Sequence, residues 1–267
     1  MSWAVLALLL GAHAQALELS SATISDPHSL VGPRWAGPPS GRVLTVFPER
    51  LVYDVSWGII HVGQATMDVA ETVEFAGRPA YRIESRANSN SFCDTFYKVR
   101  DLNESWLDVE KLHSLGYSKR LREGHYFRDE WVLYDQLERR FLAKITKRDG
   151  SYSYSAGTTP VSVQDILSSL YYVRSQNLIP GSQIILDVNT KENYPLVVRV
   201  LRRETVRTPA GKFSTILVEP AIREEGIFIQ KGRRLQVWLT DDAKKIPVLM
   251  SVEVFFGHVT TALAKML

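Results

Sequence analysis

The stretch TPVSVQDILSSLYYVRSQN, from Thr159 to Asn177, carries the one convincing helical pattern of the chain, and β-like stretches flank it on both sides. Pro160 suits a first helical position with Thr159 as cap; alternatively Ser162 caps and Asp165 reaches back to it. Ile166, Leu170 and Val173 recur at helical spacing beside Leu167 and Tyr171, which predicts one broad apolar face, and Pro180-Gly181 ends the pattern. So short a helix needs tertiary packing to persist in water, so that face is expected to dock on a sheet. On this reading Leu170→Asp is severely destabilising. Arg174→Asp, on an edge that the pattern leaves to solvent, costs much less.

Outward from the helix the period changes to two. Leu51, Tyr53, Val55 and Trp57 alternate with polar residues and predict a strand; Gln64 to Val73 and Ala80 to Ala87 follow, separated by a turn at Ala76-Gly77. Thr95 to Leu107, a hairpin of Tyr117 to Arg122 and His125 to Tyr134 around Glu123-Gly124, and Arg140 to Thr146 continue the series. A polar Gly/Ser/Tyr connection then leads to the helix. Beyond it, Gln183 to Val188, Leu196 to Val206, Phe213 to Glu219, Ile227 to Leu239, Ile246 to Phe255 and His258 to Leu263 read as strands. Short strands joined by turns predict an all-β, mainly antiparallel protein: a curved sheet, open barrel or sandwich, with one packed helix near 160–177. Ordered matches such as Glu71-Thr72-Val73 with Glu204-Thr205-Val206, and Trp106-Leu107 with Trp238-Leu239, predict two related meander halves, about 49–150 and 183–267, within one domain spanning 49–267.

Composition sets the class. Apolar residues make up 45% and charged residues 23%, which suits a chain with a real core, and a formal net charge of +3 argues against a nucleic-acid partner. Ala4 to Leu10 is a short apolar run followed by Ala12, Ala14 and Ala16, so residues 1–16 read as a cleaved signal peptide and place the protein in the periplasm or envelope. The run is too short to span a bilayer, and no transmembrane span is expected. Residues 17–48 are Pro-rich and linker-like. Cys93 is the only cysteine, which excludes an internal disulfide and reads as a buried structural thiol.

The most charged stretch is the hairpin from Lys119 to Glu130. Alternation puts Arg120 and Arg122 on one face and Tyr126, Arg128 and Glu130 on another, so the hairpin either lines a wet concavity or projects from the sheet. Arg82, Glu84 and Arg86 repeat the pattern. With Trp57 and Trp106 as candidate pocket aromatics, the candidate ligand-binding residues are Trp57, Arg82, Arg86, Trp106, Arg120, Arg122, Tyr126 and Arg128. The adjacent carboxylates of Thr240-Asp241-Asp242 read as an Asx-type turn rather than a metal site. Nucleophile-elbow, zinc and phosphate-loop motifs are missing from the sequence, so neither catalytic residues nor a metal or other cofactor are assigned.

Phe47-Pro48-Glu49-Arg50-Leu51-Val52-Tyr53-Asp54, Phe96-Tyr97-Lys98-Val99, Glu104-Ser105-Trp106, Lys119 to Gly124, Thr208-Pro209-Ala210-Gly211-Lys212-Phe213 and Trp238-Leu239-Thr240-Asp241-Asp242 together resemble the bacterial domain of unknown function 3108 family. The resemblance runs from Phe47 to the C-terminus and implies an exported, β-rich envelope protein without an assigned activity. The strands are also distantly similar to those of periplasmic lipoprotein carriers, a likeness of fold only. The expected function is a non-catalytic envelope protein that binds an apolar or amphipathic ligand such as a lipid. The alternatives are a scaffold meeting an envelope protein through the charged hairpin, or a hydrolase of an envelope polymer.

Overall fold

The computed structural model describes residues 48–190, 192–222, 234–254 and 257–267. The signal-peptide and linker readings, and the first part of the strand predicted from Ile227, lie outside the described residues. In chain order the elements are β1 (Glu49–Trp57), β2 (Ile60–Phe75), β3 (Arg78–Ser89), α1 (Ser91–Asp94), β4 (Arg100–Asp108), β5 (Ser114–Glu123), β6 (Tyr126–Asp135), β7 (Arg140–Lys147) and β8 (Tyr152–Thr158). They continue with α2 (Ile166–Arg174), β9 (Gln183–Asn189), β10 (Asn193–Thr208), β11 (Gly211–Ile222), β12 (Leu235–Thr240), β13 (Pro247–Glu253) and β14 (His258–Met266).

All of these strands belong to one antiparallel sheet in the order β8-β7-β6-β5-β4-β3-β2-β1-β14-β13-β12-β11-β10-β9. Of the three predicted architectures the open curved sheet is the one found. Its two halves are two meanders joined side by side, because β1 pairs with β14 from Leu51↔Met266 to Trp57↔Val259. The geometry repeats as the sequence does. The long hairpins β2–β3 and β10–β11 both have strands of 16 and 12 residues, and each is bulged once, after Val69 in one and after Val200 in the other. The pairs β4–β5 and β12–β13 are both irregular at a Trp-Leu step, Trp106/Leu107 and Trp238/Leu239. Such bulges bend a strand and increase its twist, which is how a long meander curls around a core.

The ladder does not close. Between the edge strands β8 and β9 runs the segment 159–165, where Gln164 donates its N–H to Asp187 O at 2.8 Å and accepts from Asn189 N–H at 2.9 Å. Asn193 Nδ2 donates to Thr158 O across the same gap at 2.7 Å. The segment thus covers the β9 edge, a protection that open sheets need. The strand β8 falls in the stretch read as a connection. Its residues YSYSAGT are mostly exposed, so it has no apolar face to reveal a strand period.

The helix is shorter than predicted and begins later. Asp165 is its cap: its carboxylate accepts from Leu167 N–H and Ser168 N–H, and Ser168 Oγ accepts from Asp165 N–H. Thr159 and Ser162 cap nothing here. Around α2 the curved sheet buries residues on nearly every side: Leu167, Ser168, Ser169, Tyr171, Val173 and Arg174. Leu167 and Tyr171 join the core of the first half, Val173 that of the second, and Leu170 touches both. The assignment of Arg174 to a solvated edge is therefore wrong. The residue is 2% exposed and forms a forked ion pair with Glu49, Nη1 to Oε1 at 2.8 Å and Nη2 to Oε2 at 2.7 Å. Leu170, one of the three residues expected to dock, is only half-buried.

Close approach fixes one glycine. A Cβ on Gly63 would lie 2.1 Å from Asn88 O of the adjacent strand, so no larger residue fits without separating β2 from β3. Cys93 is buried on the inner side of α1, as a structural thiol should be.

Candidate functional site

The helix rests against the concave face without filling it. Beside it lies an apolar cavity of about 140 Å³, walled by Ile166, Leu170 and Val173 of α2 and by inward residues of both half-sheets. Tyr53, Ala65 and Ala87 face it from the first half, and Val198, Val218 and Val237 from the second. The space exists because several inward positions carry small side chains: Ala65, Ser85, Ala87 and Thr261 stand where Val, Leu or Tyr occupy neighbouring rows. Cavities of about 150 Å³ lined by aliphatic groups stay dry and take up benzene-sized molecules. The half-exposed Leu196, Pro220 and Leu235 put the mouth at the ends of β10, β11 and β12.

One polar group in this wall stands out. Thr261 is 3% exposed and its hydroxyl has no hydrogen-bond partner among the described residues. It lies opposite Val55 on one side and Met250 on the other, both of which also line the cavity. A buried hydroxyl without a partner is costly, and a ligand oxygen at this point would remove the cost. Ser169, by contrast, donates its hydroxyl to Ile166 O at 2.7 Å.

The floor is rigid at both ends of the helix. At its start, Asp165 accepts from Ser105 Oγ at 2.6 Å and Ser114 Oγ at 2.5 Å, which ties α2 to β4 and β5. Burial pushes its carboxyl upward, opposed by those two hydroxyls and by Ser168. At its end, Arg174 holds Glu49 of β1 and also donates to Lys244 O at 3.2 Å, while Tyr171 OH reaches Glu49 Oε1 at 3.3 Å. Lys244 sits in the predicted Asx-type turn, where Asp242 Oδ1 accepts from Lys244 N–H and Lys245 N–H, both at 2.9 Å.

None of the eight residues singled out from sequence lines this cavity. Arg82 and Arg86 lie on the outer face, Arg82 bonded to Glu104 through its Nε at 3.1 Å and Arg86 to Glu84 at 2.5 Å. Trp106 stacks on Phe75 with ring centroids 4.6 Å apart, also outside. Arg120 is exposed, and Arg122 pairs with Asp129 at 2.7 Å while lying 3.5 Å over the Phe127 ring. Arg128 turns inward with Tyr126 and pairs with Glu130 at 2.9 Å. Trp57 packs at the edge of the first core cluster. The hairpin is indeed charged on both faces, but its charges are largely met within the chain. Apart from Tyr53 and the helix residues Ile166, Leu170 and Val173, the lining was not found from sequence because it is made mostly of unremarkable small or aliphatic strand residues.

The inner charges of the hairpin form a second buried cluster. Asp101 accepts from Arg122 N–H at 2.9 Å, and Glu123, 1% exposed, lies against Asp101 and Tyr97. Burial first, and the Asp101 carboxylate second, push Glu123 up to about 8; burial brings Lys119 down to about 8. A carboxyl raised in the folded state binds its proton there more tightly than in the unfolded chain. Its stabilisation is complete below the ordinary value of 4.5 and is lost as the pH rises through about 8. Glu123→Gln is therefore expected to flatten the fall in melting temperature between pH 5 and pH 8. Parallel wild-type and variant curves would show Glu123 ionised throughout.

Residues 52–264 match the model of a family described as "Protein of unknown function (DUF3108)". The chain belongs to the DUF3108 family. No curated protein matches the sequence. Among solved structures, this DUF3108 chain is similar to a β-barrel-like protein of domain of unknown function DUF1849 from Brucella abortus, with a TM-score of 0.56, 12% identity, and coverage of 84% of this chain and 98% of that one. It is more loosely similar to a putative exported protein with YmcC-like fold from Bacteroides fragilis, with a TM-score of 0.36, 8% identity, and coverage of 86% and 97%. A putative lipoprotein from Parabacteroides distasonis gives a TM-score of 0.31, 9% identity, and coverage of 86% and 100%. At such identities the first likeness concerns the curved β architecture alone, and the other two are too loose to add to it. No helix among the described residues of the DUF3108 chain is long and apolar enough to cross a membrane.

Proposed function

We propose that the chain is a non-catalytic binding protein of the bacterial envelope that takes an apolar or amphipathic ligand, such as a lipid, into the cavity beside α2. The observation that carries this reading is an apolar cavity, built by both half-sheets and a fixed helix, whose wall holds the buried Thr261 hydroxyl without a partner among the described residues. Its volume suits a ring or the last few carbons of an acyl chain, with the remainder leaving through the mouth. The apolar run at the N-terminus supports the envelope location.

Protein purified from its own envelope is expected to yield a co-purifying apolar molecule in native mass spectrometry and solvent extraction. Ala65→Phe places a ring in the cavity and should abolish that retention while leaving the melting temperature unchanged or higher. Thr261→Val keeps the shape and removes the hydroxyl. It should weaken uptake of a fatty alcohol or acid several-fold without affecting a pure hydrocarbon. A protein that emerges empty and takes up no fluorescent fatty acid would refute the proposal.

A further inference from the structure

A group of apolar side chains outside the cavity has no role in the core. Ile59 forms the β1–β2 turn, Ile60 opens β2, and Phe92 and Phe96 project from α1 and the residues after it; the two phenylalanines are 66% and 74% exposed. These segments are held side by side. Asn90 donates its N–H to Val62 O at 2.9 Å and its Nδ2 to His61 O at 2.8 Å, which docks α1 against the start of β2. Phe92 and Phe96 then meet edge to face with centroids 5.7 Å apart, while Cys93 between them anchors the turn inward. The result is a protruding apolar tip on a fixed frame, not a scatter of single surface residues.

A basic line continues from it along the same end of the sheet. Lys98 follows Phe96, and its carbonyl accepts from Gly124 N–H at 2.8 Å, which sets it beside His125. Arg148 reaches His125 O at 3.5 Å, and Lys147 precedes it. Lys98, His125, Lys147 and Arg148 are all exposed. The neighbouring acids are engaged: Asp94 with Arg100 at 2.5 Å, Asp54 with Gln64 and His61, and Asp149 with Ser151. The cavity mouth, at Leu196, Pro220 and Leu235, opens at this end too, since the ladder runs from the end of β1 through the start of β14 and the end of β13 to Leu235 at the start of β12, with Pro220 and Leu196 at the adjoining ends of β11 and β10.

We infer that this end of the sheet docks on an anionic phospholipid bilayer, with Ile59, Ile60, Phe92 and Phe96 entering the interface and the basic line lying along the headgroups. Exposed apolar side chains flanked by exposed cations match a bilayer, which offers hydrocarbon to the tip and phosphates to its basic flank together. The inference does not depend on the cavity being occupied, although a lipid tail leaving the leaflet would meet the mouth without crossing water.

Flotation of the purified protein with vesicles tests it. Wild type should float with phosphatidylglycerol–phosphatidylethanolamine vesicles at low salt, less at high salt, and less with phosphatidylcholine alone. Phe92→Ser with Phe96→Ser should lower the partition coefficient at least tenfold. Lys98→Glu with Arg148→Glu should lower it several-fold and remove most of the salt dependence. Leu137→Ser, exposed at the opposite end of the sheet in the β6–β7 turn, should float as wild type does. Melting temperatures of these surface variants should match wild type. Ala65→Phe, which fills the cavity, should also float normally, so the two readings fail separately. Wild type that does not float, or tip variants that float as well as Leu137→Ser, would overturn the inference.

Discussion

Arg174→Met is expected to lower the unfolding free energy by about 3–5 kcal/mol, the usual cost of leaving a buried charge without its partner. The abandoned group is the Glu49 carboxylate, which is 8% exposed and would keep only the Tyr171 hydroxyl at 3.3 Å. Lys244 O would lose a charged donor as well, and Tyr171 the guanidinium 4.7 Å above its ring. Against a total stability of about 5–15 kcal/mol, such a loss is close to unfolding. The double variant Glu49→Leu with Arg174→Met should regain most of it, because an apolar pair of similar volume often replaces a buried ion pair without net cost. Urea denaturation of the four proteins of the cycle gives the coupling directly. A single-variant loss below about 1 kcal/mol would mean that water reaches the pair and that the helix end is loose.

This result reverses the order of effects expected from the helical pattern alone. That pattern treats a helix as lying on a flat sheet, one side dry and the other wet. Here the sheet wraps around α2, so the second side meets β1 and the β12–β13 turn instead of solvent. The partner of Arg174 is 125 residues away, and local periodicity cannot announce it. Leu170 moves the other way. It faces the cavity from the helix, so Leu170→Asp should act more on ligand retention than on stability.

The strands were legible for a simple reason. Where one face is buried and the other wet, the period of two is written in the side chains: Leu51, Tyr53 and Val55 are all buried in β1, with half-exposed residues between them. The Glu123-Gly124 turn was equally legible, since Gly124 takes φ +56° and lies under the Tyr97 ring, where a Cβ would be 2.6 Å from it. An exposed edge strand such as β8 has no such contrast. The cavity is harder still. A cavity is lined by what is too small to fill it, and Ala65, Ala87 and Thr261 acquire meaning only when the β2–β3 hairpin and the distant β14 put them opposite the same helix. The large aromatics named as pocket candidates, Trp57 and Trp106, pack elsewhere. Several segments that carry the family resemblance hold the helix in place: Glu49 in the first, Ser105 in the third, and Asp242 in the last.

The other end of the helix gives the second large effect. Asp165→Ala removes the cap of α2, usually worth about 0.5–2 kcal/mol. It also leaves the buried Ser105 and Ser114 hydroxyls without their acceptor, at about 1–3 kcal/mol for a group so stranded. The terms overlap, and a combined loss of about 2–4 kcal/mol is expected. Asp165→Asn keeps an oxygen for Leu167 N–H and Ser168 N–H, and its amide can donate to serine hydroxyls that rotate to accept. It should therefore cost about 1 kcal/mol or less. Burial already raises the pKa of this carboxyl, so removing its charge is not itself a large penalty. Ligand retention separates fold from site: Asp165→Ala frees the wall formed by Ile166 and Leu170 and should lose the ligand, whereas Asp165→Asn should keep it. Equal, small losses of stability in both variants would show that the helix start is held by packing alone, with Leu167 and Tyr171 as its anchors in place of the carboxylate.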